Sequence, residues 1–480
     1  MTGEQARPRG GDTVSPPRTL VHELQPYPEY KDSSVEWLGK IPKDWTIVRT
    51  KNLFKEIDER SIDGTEILLS VSQYTGVSPR SRIISITNSK LTRSESLVNY
   101  KLVKSGDLVI NIMLAWNGSL GVSNFDGIVS PAYCVYRLKN NDSARYFHYL
   151  FRSSTYLGLF ENESTGVVQS RLRLYTENFF RILSINPPSV DREAIGGYLK
   201  SVELSISQYV HAKRKLIELL NGQKRGIINQ AVTRGIDPNV RLKPSGIEWL
   251  GDVPEHWGIE KISSHTISIG DGLHGTPKYV ENSPFYFING NNLIDGVVKI
   301  TTSTNCIDID QFEKYKLPLD EKTVLLSING TIGSVALYEN ESVILGKSVA
   351  YFICRNDLSR TYLFYLLQSQ SLNNFLTQEA TGTTILNLSL ASIRDLNIPF
   401  PAYNEQKKIT EYLDKKIAVF SDLVEKTLQE INLIHEYHSR LVSDVVTGKV
   451  DVRSVEYDDA VPLADDEVVD LDAIDEDNDD

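Results

Sequence analysis

Three cysteines, two methionines and the lack of any run of about eighteen apolar residues set the first limits on this 480-residue chain. Cys134, Cys306 and Cys354 are odd in number, far apart and outside any CxxC or CxxH spacing. They read as structural thiols of a reducing compartment, not as a disulfide framework or a zinc site. Without a long apolar run no membrane-spanning helix is expected, and residues 1–20 carry charge and proline but no hydrophobic signal core, which points to a cytoplasmic protein. The eight histidines form no HExxH and no Cys/His cluster. His435 and His438 stand three apart on a helical seam and read as packing or surface residues, so no metal is expected.

Nucleotide-binding loops are lacking as well. "GDGLHG" (270–275) satisfies GxGxxG, but a dinucleotide site needs a helix to start at once, and "TPKYVENSP" with two prolines follows. "LGKS" (345–348) resembles the end of a phosphate loop, yet the first glycine of that loop would fall at Glu341. In "NPPS" (186–189) Ser189 stands where an adenine methyltransferase would place an aromatic ring to stack on a flipped base, so the prolines read as a strand-to-helix connector. No catalytic constellation or cofactor emerges, and a binding protein is the expectation.

A net charge of −12 describes the chain poorly. From Glu456 onward there are thirteen Asp or Glu and no Lys or Arg, which leaves residues 1–455 at +1. Residues 1–240 carry +7 and residues 241–455 carry −6. The acidic tail, 456–480, reads as disordered and solvating, and residues 1–30 as a disordered N-terminal tail. A nearly neutral body leaves polyanion binding to local clusters of Lys and Arg.

What the chain has is a repeat. "EWLGKIPKDW" (36–45) returns as "EWLGDVPEHW" (248–257), 212 positions on. "SPAYCVYR" (130–137) answers "SVAYFICR" (348–355), "STGVV" (164–168) answers "ATGTT" (380–384), and "ILSINPP" (182–188) answers "DLNIPFP" (395–401). "DLVINIM" (107–113) and "TVLLSIN" (323–329) read as strands, "RYFHYLF" and "TYLFYLL" as short helices. Each copy is therefore expected to fold as a mixed α/β globule of about 150 residues.

Each globule is followed by a heptad seam. Ile206, Val210, Lys213, Ile217, Leu220, Lys224, Ile227 and Ala231 step by four and three. So do Leu413, Ile417, Phe420, Val424, Thr427, Ile431, Ile434, His438, Leu441 and Val445. The seams predict two helices of about 35 residues that pair with one another, their polar members fixing register. With a globule between them, an antiparallel coiled coil is expected; a parallel pair would crowd both globules at one end. The fold class is thus α/β, mixed α+β, with two repeated domains separated by two long helices. The expected boundaries are a first domain at 31–190, helix one at 191–236, a second domain at 237–402 and helix two at 403–450. The four paired tryptophans, Trp37, Trp45, Trp249 and Trp257, are expected to anchor each globule to its helix.

Two related globules with diverging loops suit a long, linear ligand read at two places, and duplex DNA is the leading candidate. "SPRSRI" (78–83) and "SRLRL" (170–174) supply Arg80, Arg82, Arg171 and Arg173. "HGTPKY" and "NGNN" supply His274, Thr276, Lys278, Tyr279, Asn289, Asn291 and Asn292. Asn117, Gln169, Asn329, Lys347 and Thr383 stand in turns of the same two copies. Arg and Lys suit guanine and Asn or Gln suit adenine in the major groove, though each of these residues also has a plain reading as a solvated loop side chain.

The doubled EWLG-x-x-P-x-x-W opening, "GLHGTPKY", the TG turn, "PFPAYNEQKKITEYLDKK" and the two long helices together resemble the specificity subunit of type I restriction–modification enzymes, over residues 33–453. In the first copy Asp191 and Arg192 stand where the second has Glu405 and Gln406. The resemblance implies that each globule is a target recognition domain, that the helices are spacers, and that the chain is a non-catalytic subunit. Its implied partners are double-stranded DNA, two methyltransferase subunits and restriction motor-nuclease subunits. A fused methyltransferase recognition module and a coiled-coil protein scaffold without DNA binding stay open as alternatives. Salt-dependent DNA binding separates the scaffold from the other two.

Overall fold

The structure, a computed structural model, describes residues 24–80, 97–140, 142–168, 171–382 and 386–457. Both expected tails fall largely outside the described residues. The chain forms two compact units, residues 1–215 with 427–480 and residues 216–426.

In the first unit a four-stranded antiparallel sheet runs in the order Phe54–Ile57, Cys134–Leu138, Leu108–Ile110, Leu120–Val122. Leu108, Val109 and Ile110 are all buried, which is why three apolar residues stand side by side in "DLVINIM": both faces of that strand are covered. Phe147, Leu150 and Phe151 of the helix Arg145–Arg152 are buried too. The second unit repeats the order with Thr266–Asp271, Val349–Cys354, Thr323–Ser327 and Val335–Leu337. Its equivalent helix, Arg360–Leu367, buries Leu363, Leu366 and Leu367. A second sheet, Tyr279–Val280, Cys306–Ile307, Phe285–Ile288 and Val343–Leu345, carries the one parallel pairing among the named strands, between the last two.

The long helices are Ser189–Arg234 and Tyr403–Val446, 46 and 44 residues. Within each helix the seam positions are buried or half-buried, while Lys215, Glu218, Gln223 and Arg225, or Lys415, Ser421, Glu425 and Gln429, are exposed. In the first unit Lys213 Nζ lies 2.6 Å from Glu430 Oε2, and Glu203, earlier in the first helix, is held down in part by His438, later in the second. In the second unit Ile228, Ala231 and Val232 share a core with Ile409 and Leu413. The helix segments are therefore antiparallel in the first unit, as expected for two seams with a globule between them, and in the second the end of the first helix packs on the start of the second.

The second tryptophan of each motif explains how a globule seats on a helix. Trp45 is fully buried and its Nε1 donates to Asp191 Oδ2 at 2.8 Å; Trp257, 1% exposed, donates to Glu405 Oε1 at 3.0 Å. Both acceptors lie in the first turn of a long helix, where a carboxylate also offsets the positive end of the helix dipole. Asp191 thus replaces Glu405 without loss of the bond. Arg192 reaches Asp142 at 2.5 Å, whereas Gln406 Nε2 donates to the carbonyls of Asp357 and Pro401 at 3.0 Å. Trp37 departs from the expectation that all four indoles anchor a helix: it is 40% exposed and meets Tyr156 edge-on at 5.8 Å. Trp249 lies over Phe375 at 5.9 Å.

One joint of the first unit is pH-sensitive. Burial, reinforced by the nearby Arg152 charge, holds His148 down at about 3, and the neutral ring accepts the Val122 N–H through Nδ1 at 3.2 Å. For Glu203, burial would raise the carboxyl, but Lys200 at 3.2 Å and the Tyr149 hydroxyl at 2.9 Å help pull it to about 2. Both groups bind fewer protons folded than unfolded, so their stabilisation is lost as pH falls. The melting temperature of the first unit is expected to drop progressively below about pH 6.5, where unfolded His148 begins to protonate, and further below about 4.5 as Glu203 joins. His148→Asn keeps an acceptor and removes the titration, so thermal melts from pH 7 to 4.5 should flatten for this variant.

Candidate nucleic-acid interface

In the second unit several turns meet at one end of the central sheet, where Asp271 pairs with Ala350 and Ser327 with Val349. Leu273 N–H donates to Leu345 O at 2.7 Å and Lys347 N–H to Leu273 O at 3.0 Å, which sets His274 and Lys347 on adjoining strands of backbone. Both side chains are exposed, and His274 Nε2 contacts Asp271 Oδ2 at 2.8 Å. The turn 289–292 joins them because Ser348 Oγ donates to Asn289 Oδ1 at 3.1 Å and accepts from Gly290 N at 3.0 Å. Gly346 is required there: a Cβ on it would fall 2.3 Å from Asn289 Oδ1.

The asparagines of this turn divide. Asn289 and Asn292 cap one another reciprocally, and Asn292 Nδ2 donates to Lys299 O at 3.1 Å, so both amides hold the loop. Asn291 is exposed. Asn329, half-buried, pairs its amide with Asn387 at 3.0 Å. Thr276, Lys278 and Tyr279 are exposed on the segment entering the mixed sheet, with the Tyr279 ring 6.0 Å from Phe287. A cation, an imidazole, amides and an open phenol ring gathered on adjoining turns can donate to phosphates and to base edges alike.

The first unit builds its equivalent end with different side chains. Leu174 N–H donates to Ile112 O at 2.9 Å, as Leu388 N–H does to Ile328 O at 2.8 Å, and Thr165 bridges Arg173 as Thr381 bridges Asn387. Arg171 is exposed and Arg173 half-buried on this ribbon. Asn117, exposed in the turn before Leu120, hydrogen-bonds Gln73. Arg80 is exposed after the strand Gly76–Pro79 and near Tyr133, whose hydroxyl burial raises while the Arg80 charge opposes the rise. Arg82, Gln169 and Thr383 lie outside the described residues. Reading the sequence alone missed Asn387, the structural counterpart of Arg173, and Gln73, the partner of Asn117. Aligning the ribbons on Leu174 and Leu388, not on the TG turn, would have exposed the first.

Among the described residues no group of three His, Cys, Asp or Glu could hold a metal ion, and no helix is long and apolar enough to cross a membrane. A family model for the type I restriction modification DNA specificity domain matches residues 273–433. The type I restriction enzyme MjaVIII specificity subunit of Methanocaldococcus jannaschii is 25% identical over 464 residues, covering 91% of this chain and 100% of that protein. The putative MjaX specificity subunit of the same organism is 21% identical over 462 residues, again covering 91% and 100%. A solved chain, from work on complex assembly and conformational transition of the type I R-M system, overlays with a TM-score of 0.64 at 16% identity, covering 85% of this chain and 99% of its own. At that identity the likeness speaks for the fold alone.

Proposed function

We propose, from the premise that the chain belongs to the specificity subunits of type I restriction–modification systems, that it reads a bipartite duplex target in the cytoplasm, one half with each globule, and directs methyltransferase and restriction subunits to it. The observation that carries this reading is a contrast between the two copies. The sheet order and the tryptophan anchors repeat, whereas the turns at the sheet end differ in the chemistry they present: Arg171 and Arg173 in one, His274, Lys347 and Asn387 in the other. A common scaffold with divergent polar tips is what two unlike half-sites require. The long helices act as the spacer between the half-sites, and the chain itself carries no chemistry, which its partner subunits supply.

In this scheme Arg80, Arg82, Asn117, Gln169, Arg171 and Arg173 face one half-site. His274, Thr276, Lys278, Tyr279, Asn291, Asn329, Lys347 and Thr383 face the other, with Asn289 and Asn292 shaping their turn. Replacing both Arg171 and Arg173 with Ala is expected to relax one half-site only, at about 1–3 kcal/mol for each bidentate hydrogen-bond pair to a base that the change removes. Competition binding on duplexes substituted in either half reads this directly. Equal relaxation of both halves would contradict the assignment, and binding indifferent to salt would favour a protein scaffold over a DNA reader.

A further inference from the structure

Six of ten positions are identical between "EWLGKIPKDW" and "EWLGDVPEHW", and the fold accounts for four of them. The second tryptophans are buried and hydrogen-bonded, and Pro42 and Pro254 are buried beside them. Leu38 is half-buried and Leu250 buried. Gly39 and Gly251 both sit at φ +67°, a left-handed conformation that glycine adopts without strain, and each closes the same turn: Ser33 N–H to Gly39 O at 2.9 Å, Ser245 N–H to Gly251 O at 3.0 Å.

At the remaining two positions packing accounts for one side of each indole, Trp37 against Tyr156 and Trp249 against Phe375 and the second unit's core, and for nothing of the two glutamates. Glu36 and Glu248 are exposed, and among the described residues neither carboxylate makes a hydrogen bond or ion pair. Beside them Trp37 is 40% exposed and Trp249 half-buried at the wall of an open groove that includes Ser371, Phe375, Glu379 and Asp395. Neither indole N–H has a partner among the described residues, in contrast to Trp45 and Trp257. Exposed neighbours within the same motif have diverged freely: Lys40 against Asp252, Lys43 against Glu255, Asp44 against His256. Exposure alone therefore does not preserve identity here.

Resting on the specificity-subunit reading, we infer that the Glu36–Trp37 and Glu248–Trp249 turns are twin docking faces for the methyltransferase subunit, one copy per globule. A pair of exposed residues kept alike in two globules whose other tips diverge is suited to an occupant that is itself the same twice. Its chemistry follows from the face: an apolar or aromatic side chain for the indole, an acceptor for the indole N–H, and a cation for the glutamate, favoured further at the second face by Glu379. Trp and a desolvated charge pair are the side chains that most often dominate such contacts. DNA is a poor fit to the second face, where Glu248, Glu379 and Asp395 line the groove, and Glu36 opposes a phosphate at the first.

The test uses the full chain with the methyltransferase subunit of the same restriction–modification system, and reads stoichiometry and affinity by sedimentation or native mass spectrometry. The unaltered chain should take two copies. Glu36→Lys or Trp37→Ala should weaken one copy by about ten- to a hundredfold, Glu248→Lys or Trp249→Ala the other, and Glu36→Lys with Glu248→Lys should leave neither tightly bound. The two lysine variants alter only exposed side chains, so thermal melting and salt-dependent duplex binding by the chain alone should stay unchanged. Two copies bound at undiminished affinity by the double lysine variant would overturn the docking inference and leave the specificity-subunit reading intact. An unaltered chain that takes no methyltransferase copy would overturn both.

Discussion

Adding one heptad to each long helix, between Val210 and Ile217 in the first and beside Glu430 in the second, is expected to abolish methylation of the original target in a chain that still folds and assembles. Seven residues keep the seam in phase, so Lys213 and its successors still meet apolar or paired partners. Each helix grows by about 10 Å at about 1.5 Å per residue. One turn of duplex spans about 34–36 Å, so the change corresponds to roughly three base pairs and rotates one half-site by roughly 100° about the DNA axis. At best the variant accepts the same half-sites with a longer gap. Methylation mapping that returned the original gap at full efficiency would show that the helices do not set the spacing.

Trp45→Ala should be the most damaging single change to the first unit. The indole is fully buried, meets Tyr27 and Tyr146 edge-on at 5.4 and 6.5 Å, and donates to Asp191. Truncation leaves a cavity and a buried carboxylate with one donor fewer, which costs about 3–5 kcal/mol. For a unit of this size that lowers its melting transition by about 10 °C. Trp45→Phe keeps most of the volume and should recover much of the stability, the remaining deficit reporting the hydrogen bond to Asp191. Calorimetry on the full chain checks both, and a transition moved by less than about 2 °C in Trp45→Ala would show that this joint does not hold the unit together.

How far the sequence revealed this architecture depends on how local the signal was. The seam positions, from Ile206 to Ala231 and from Leu413 to Val445, are those the structure shields, because heptad spacing alone decides which side of a long helix is covered. The helices, 46 and 44 residues, exceed the about 35 residues suggested by the seams because the apolar spacing continues beyond the positions counted there. In the first, Ile195, Leu199 and Val202 are buried and carry the same four-and-three step back from Ile206, so the seam opens earlier than the stretch counted from the sequence, with Tyr198 buried beside it. The repeated tryptophans announced a duplicated scaffold, but one-dimensional identity could not separate Trp45, locked under Asp191, from Trp37, which faces out.

The interface was legible in outline only. Asn289 and Asn292 look alike in "NGNN" to Asn291, yet their partners are Ser348 and the Lys299 carbonyl, which chain order does not place beside them. Asn387 escaped notice because the ribbon from the TG turn is two residues shorter in the second copy, which puts it opposite Arg173 only once Leu174 and Leu388 are superposed.

That two independent globules read two halves of one target is tested most directly by sequencing the methylated sites in cells carrying this chain together with its methyltransferase partner. The experiment is then repeated with residues 237–402 exchanged for the second globule of another specificity subunit. The unaltered chain should give one bipartite motif, and the exchanged chain a motif in which one half is kept, the other is new and the gap is the same. A continuous motif, or an exchange that changed both halves at once, would contradict independent reading by the two globules.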